Sequence, residues 1–185
     1  MKSVAFSLAL SALALGTPAR AAELLTGSAT APVQLLIYGD IQCPFTKKMI
    51  GYLDRFEADY GTKIGVQFAN FPLSFHAEAR PAAIADLCAA RQDVGVAYLK
   101  EEFAHQDKLG HAYYLELAKT LGVRDLRGFA DCLDDKNMAA EVDADVAAGT
   151  KAGVNATPTM FLQGEKIAGA YPYEDFKKKI DKALQ

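Results

Sequence analysis

From Val33 the chain reads Val-Gln-Leu-Leu-Ile-Tyr, a short and nearly unbroken apolar run. Such a run suits a strand buried on both faces. From Pro44 to Tyr60 the spacing changes. Met49, Leu53, Phe56 and Tyr60 make one helical stripe, and Lys47, Lys48, Asp54 and Glu57 fall largely outside it. Pro44 fits a first helical turn, where no backbone donor is needed, and Gly61 supplies a stop. Lys63 to Ala69 reads as a second strand. A strand, a helix and a strand in this order imply a parallel pair.

Phe71-Pro72 ends that unit, and helical spacing then dominates. Helices are predicted over about His76–Arg91, Val94–His105, His111–Leu121, Asp125–Leu133 and Asn137–Ala152. Strand signals return at Thr159–Leu162 and Lys166–Gly169, which flank Gly164 as in a tight hairpin. The last helix is predicted from Tyr171-Pro172 onward. Glu174 and Asp175 come early and Lys177, Lys178, Lys179 and Lys182 late, an order that complements a helix dipole, and Phe176, Ile180 and Leu184 form its buried stripe. The order is βαβ, a helical block, then ββα. The strands on either side of the block must rejoin in one α/β sheet, so the helices of 72–151 are read as an insertion.

The N-terminus carries a different pattern. Lys2 precedes an apolar run from Val4 to Leu15, followed by Ala19-Arg20-Ala21. These are the marks of a secretory signal peptide, residues 1–21, cleaved after Ala21. The run is about a dozen residues, short of the roughly 20 that span a bilayer. The first cysteine is Cys43, so no lipid anchor is expected at the cleavage site. Residues 22–185 then hold 18 basic and 23 acidic side chains, a net charge of −5. That balance argues against nucleic acid or an anionic membrane surface as a partner. The acidic excess lies within 72–151, which carries 9 basic and 14 acidic residues.

Secretion gives weight to the three cysteines, Cys43, Cys88 and Cys132, because thiols outside the cytosol tend to pair and three cannot all do so in one chain. Cys43 stands where Tyr38-Gly39-Asp40-Ile41-Gln42 runs from a strand into the helix beginning at Pro44. A helix N-terminus favours the thiolate, the reactive form. Lys47 and Lys48, one turn on, are placed to add positive potential, and Thr46 returns to the same side of the helix, where its hydroxyl is placed to donate to the sulfur. Asp40 is read as shaping the turn, His76 as a capping or solvated histidine, and His105 and His111 as ordinary loop residues. No C-x-x-C or H-x-x-x-H pair occurs, so neither a metal nor a cofactor is expected.

Gly39-Asp40-Ile41-Gln42-Cys43-Pro44-Phe45 resembles the active-site region of bacterial periplasmic thiol-disulfide oxidoreductases of the DsbA and DsbG type. So do Gly153-Val154-Asn155-Ala156-Thr157-Pro158-Thr159-Met160-Phe161-Leu162, Gly169-Ala170-Tyr171-Pro172-Tyr173, and Phe71-Pro72-Leu73 with His76. The resemblance implies a thioredoxin-like fold of residues 22–71 and 152–185, with 72–151 as an inserted all-helical domain. It implies a cis Thr157-Pro158 bond facing Cys43, with Thr157, Pro158, Pro44 and Phe45 meeting an extended substrate. It also implies thiol-disulfide exchange in the periplasm, with cysteine-containing proteins or glutathione-like thiols as partners.

Thr46 departs from the family's dithiol pattern. A single thiolate suffices for a mixed disulfide, but its release then needs a thiol from elsewhere. Cys88 and Cys132, both in predicted helices, are expected to pair as a structural disulfide, as in some relatives. The alternative is that one of them resolves Cys43. Only about ten residues separate Ala21 from the first strand, and on that basis a monomer is expected. A non-catalytic fold that binds extended or unfolded chains is the competing reading.

Overall fold

A computed structural model describes residues 22–185. The expected signal peptide lies outside them. Five strands form one mixed sheet in the order β1-β3-β2-β4-β5. They are β1 Glu23–Gly27, β2 Val33–Gly39, β3 Ile64–Asn70, β4 Thr159–Leu162 and β5 Glu165–Ala168. β2 and β3 run parallel in register from Val33↔Ile64 to Gly39↔Asn70. β4 adds antiparallel to the other side of β2, and β5 pairs antiparallel with β4.

The edge strand β1 was not foreseen. It pairs antiparallel with β3 and buries only Leu25, so it carries no alternation long enough to read. A second correction concerns the helix after Cys43. It is not continuous to Tyr60 but divides into α1 Pro44–Ile50 and α2 Leu53–Tyr60. Gly51, a poor helix former, and Tyr52 make the break, where the Tyr52 amide donates to Met49 O three residues back. The break lets Met49, Ile50, Leu53 and Phe56 all reach the core.

Helices α3 Ala79–Ala90, α4 Gly95–Ala104, α5 His111–Thr120, α6 Leu126–Leu133 and α7 Lys136–Lys151 lie in sequence between β3 and β4, and α8 Tyr173–Ala183 closes the chain. Alternation along β2 sends Val33, Leu35 and Ile37 into a main core shared with Met49, Phe56, Phe68, Leu87, Tyr98, Phe129, Phe176 and Ile180. Tyr38 instead joins Ala69, Phe71 and Val154 in a smaller cluster that includes Val146 of α7. Gly149 lets α7 come this close, because a Cβ there would lie 2.8 Å from the Phe71 ring. The inserted helices therefore belong to both faces of the sheet. A disulfide joins Cys88 of α3 to Cys132 of α6 with a Cα separation of 5.9 Å.

Candidate active site

The C-terminal ends of β2 and β3 set the site. Beyond Gly39 the chain turns through Asp40-Ile41-Gln42, and the Cys43 amide donates to Asp40 O at 3.0 Å. Cys43 has extended backbone angles, φ −76° and ψ 123°, and caps α1, whose first residue is Pro44. Its side chain is not a helix cap. The thiol instead donates to Thr157 O at 3.5 Å, across a sequence gap of 114 residues. Thr157-Pro158 is a cis peptide. The tertiary fold thus brings Cys43 and Thr157 together, with Pro158 buried beside them and Pro44 and Phe45 exposed at the rim.

Cys43 is the one free cysteine among the described residues and is 4% exposed. Several large apolar side chains stand exposed on the described surface. Phe45, Phe75 and Tyr171 are 63%, 76% and 48% exposed. The Thr157 hydroxyl is buried with no hydrogen-bond partner among the described residues.

Three sequence expectations change here. Thr46 is fully buried, and its oxygen accepts from the Asp40 amide at 3.4 Å; no hydrogen bond joins it to the Cys43 sulfur. Its methyl faces Gly39, where a Cβ would come within 2.6 Å, so glycine at the strand end is what admits Thr46. Lys47 and Lys48 direct their ammonium groups to Ala104 O and Ala170 O, where they tie α1 to α4 and to the segment before α8. His76 is neither a cap nor free in solvent. Its Nδ1 lies 2.9 Å from Asp40 Oδ2, which is itself buried.

Asp40 does shape the turn. One carboxylate oxygen accepts from Gln42 N at 2.7 Å, and the other from Leu73 N at 2.7 Å as well as from His76. The insertion reaches the turn twice more. Gln42 Oε1 accepts from Glu78 N at 2.8 Å. Gln106 Nε2 donates to Ile41 O at 2.6 Å and to Cys43 O at 3.1 Å. Nothing in the sequence marked Gln106, a lone amide in the turn after α4. Only the docking of the insertion identifies it.

A thioredoxin family model matches residues 20–182. The chain belongs to the thioredoxin family. Among curated relatives of this thioredoxin-family protein, the Na(+)/H(+) antiporter NhaA 3 of Salinispora tropica is 32% identical over 159 residues, which is 85% of this chain and 24% of that protein. The Na(+)/H(+) antiporter NhaA 1 of Mycolicibacterium gilvum is 30% identical over 148 residues, 78% of this chain and 24% of that protein. The chain therefore spans about a quarter of the length of these relatives. Among solved structures, BdbD from Bacillus subtilis superposes with a TM-score of 0.76 at 23% identity, covering 88% of this chain and 97% of its own. ScsC from Proteus mirabilis gives a TM-score of 0.73 at 19% identity, covering 86% and 71%. At these identities the likeness concerns the fold, a DsbA-type thioredoxin fold with a helical insertion.

Proposed function

We propose that this protein is a periplasmic thiol-disulfide exchange protein that acts through one nucleophile, Cys43. The observation that carries the reading is the placement of Cys43, the one free thiol among the described residues, at the N-terminus of α1, in contact with the backbone of a cis Thr157-Pro158 segment. In the step, the Cys43 thiolate attacks one sulfur of a client disulfide. That S–S bond breaks as the mixed disulfide forms, and the second client sulfur leaves as a thiolate and takes up a proton. A client thiol or a glutathione-like thiol then attacks the mixed disulfide and frees Cys43. No net oxidant is needed, which suits isomerisation and deglutathionylation. Thr157 and Pro158 would align an extended client, with Pro44 and Phe45 meeting its side chains.

A second reading has its own support. Cys43 is nearly covered, and the exposed rings of Phe45, Phe75 and Tyr171 suit a protein that holds unfolded chains without turnover. One experiment separates the two. Wild-type protein and Cys43→Ala are incubated with a client carrying a scrambled disulfide and quenched with acid. Thiol-reversible adducts in wild type alone, mapping to Cys43, support exchange. Equal client binding by both proteins with no covalent adduct supports the holding role.

A further inference from the structure

We infer that Gln106 is a positioning residue for the Cys43 nucleophile, and that through it the helical insertion sets the reactivity of the thiol. The inference rests on the reading of Cys43 as the nucleophile. The turn from Asp40 to Cys43 is too short to hold itself, and its own backbone supplies one closing bond, from Cys43 N to Asp40 O. Two carbonyls of that turn, one inside it and one at its end, are both taken by one group from another element. Gln106 Nε2 lies 2.6 Å from Ile41 O and 3.1 Å from Cys43 O.

Cys43 O is also the first acceptor of α1, bonded by Lys47 N at 3.1 Å. Gln106 therefore holds the residue that carries the sulfur at the point where the helix begins. An amide suits this place better than a charged group. It donates from one planar nitrogen to two acceptors, as the geometry of carboxamide nitrogen allows. Gln106 sits in the short turn of Gln106–Lys108 between α4 and α5, so its position follows the packing of the insertion. Asp40 and Gln42 anchor the same turn by bonds to Leu73, His76 and Glu78, also from residues that follow β3. Those bonds hold the turn to the start of the insertion, whereas Gln106 is the insertion side chain that bonds the backbone of Cys43 itself.

The test is the rate of iodoacetamide modification of Cys43 at fixed pH, together with its exchange constant with glutathione, in three proteins: wild type, Gln106→Met and Gln106→Lys. Methionine has the same reach without a donor, and lysine restores one. Gln106→Met should change both quantities by roughly two- to tenfold, the equivalent of one or two ordinary hydrogen bonds. Gln106→Lys should return the iodoacetamide rate to within about twofold of wild type on the same scale. Wild-type values for Gln106→Met would mean that the side chain only fills space, and the inference would fall. If Gln106→Met shows no cooperative melt, Gln106→Asn decides, because its amide is one methylene too short to reach both carbonyls: a rate changed by about twofold or more supports the inference, and a wild-type rate overturns it. Because iodoacetamide is not a client, failure of the exchange reading leaves this result interpretable. Mixed disulfides with an unresponsive Gln106 would remove this inference alone.

Discussion

At the scale of single residues, Thr46 is the position on which the proposed single-thiol chemistry turns. It occupies the third position of α1, is fully buried, and uses its oxygen to accept from Asp40 N. Its contribution is thus to the turn that precedes the helix, and the sulfur finds its partner in Thr157. Replacement by cysteine tests what the position withholds. Thr46→Cys should form a second disulfide with Cys43 on mild oxidation, so that the variant's two free thiols, Cys43 and the new one, both disappear by alkylation and mass measurement. It should also gain net oxidation of a reduced client, which the proposed single-thiol chemistry withholds from the parent. A Thr46→Cys protein that retains two alkylatable thiols after oxidation would show that the two side chains do not meet. Thr46 itself was legible as the point of departure from a dithiol site. Its bond to Asp40 was not, because that depends on how closely Gly39 lets the helix approach the strand end.

At the scale of elements, the five inserted helices were readable within a few residues because their apolar positions recur with helical period and are cut by Gly and Pro. Strand β1 was not, since an edge strand with one buried side chain has almost no pattern. The break at Gly51-Tyr52 was missed for a related reason: the apolar stripe continues through it, and only the backbone hydrogen bonds show that the helix is interrupted. The link between α3 and α6 is covalent. Removing it with Cys88→Ala and Cys132→Ala should lower stability by about 2–5 kcal/mol, measured by urea unfolding at equal protein concentration. The paired substitution avoids leaving an odd thiol to compete with Cys43. If the urea midpoint does not move, the helices are held by packing alone.

At the scale of the whole molecule, one buried acid ties stability to pH. Glu102 of α4 is fully buried, and neither carboxyl oxygen has a hydrogen-bond partner among the described residues. Burial first, and then the nearby charges of Asp86 and Glu23, push its carboxyl well above the ordinary value of 4.5. The folded protein therefore holds this proton more tightly than the unfolded chain. The stability that Glu102 contributes is fully present below about pH 4.5 and is lost as pH rises through the folded value, at most about 1.4 kcal/mol for each pH unit. Glu102→Gln should remove that slope. Its melting temperature should gain on wild type as pH rises from 4 to 8, by roughly 2–4 °C for each kcal/mol in a domain of this size. Parallel melting curves for the two proteins across that range would show that Glu102 does not carry the pH dependence.

The sequence by itself determined the order of the elements after β1, apart from the break between α1 and α2, together with the thiol at a helix start and the absence of a second cysteine beside it, because these follow from local period, capping chemistry and identity. Only the tertiary structure decided what surrounds the thiol. Thr157 O meets its sulfur, His76 and Asp40 pair in the turn that leads to it, and Gln106 bonds the backbone of Cys43 from the insertion. Those contacts span 114, 36 and 63 residues, and no local pattern specifies them. They arise from packing the inserted helices against both faces of the sheet, where each buried polar atom must find its partner in whatever element the fold brings near.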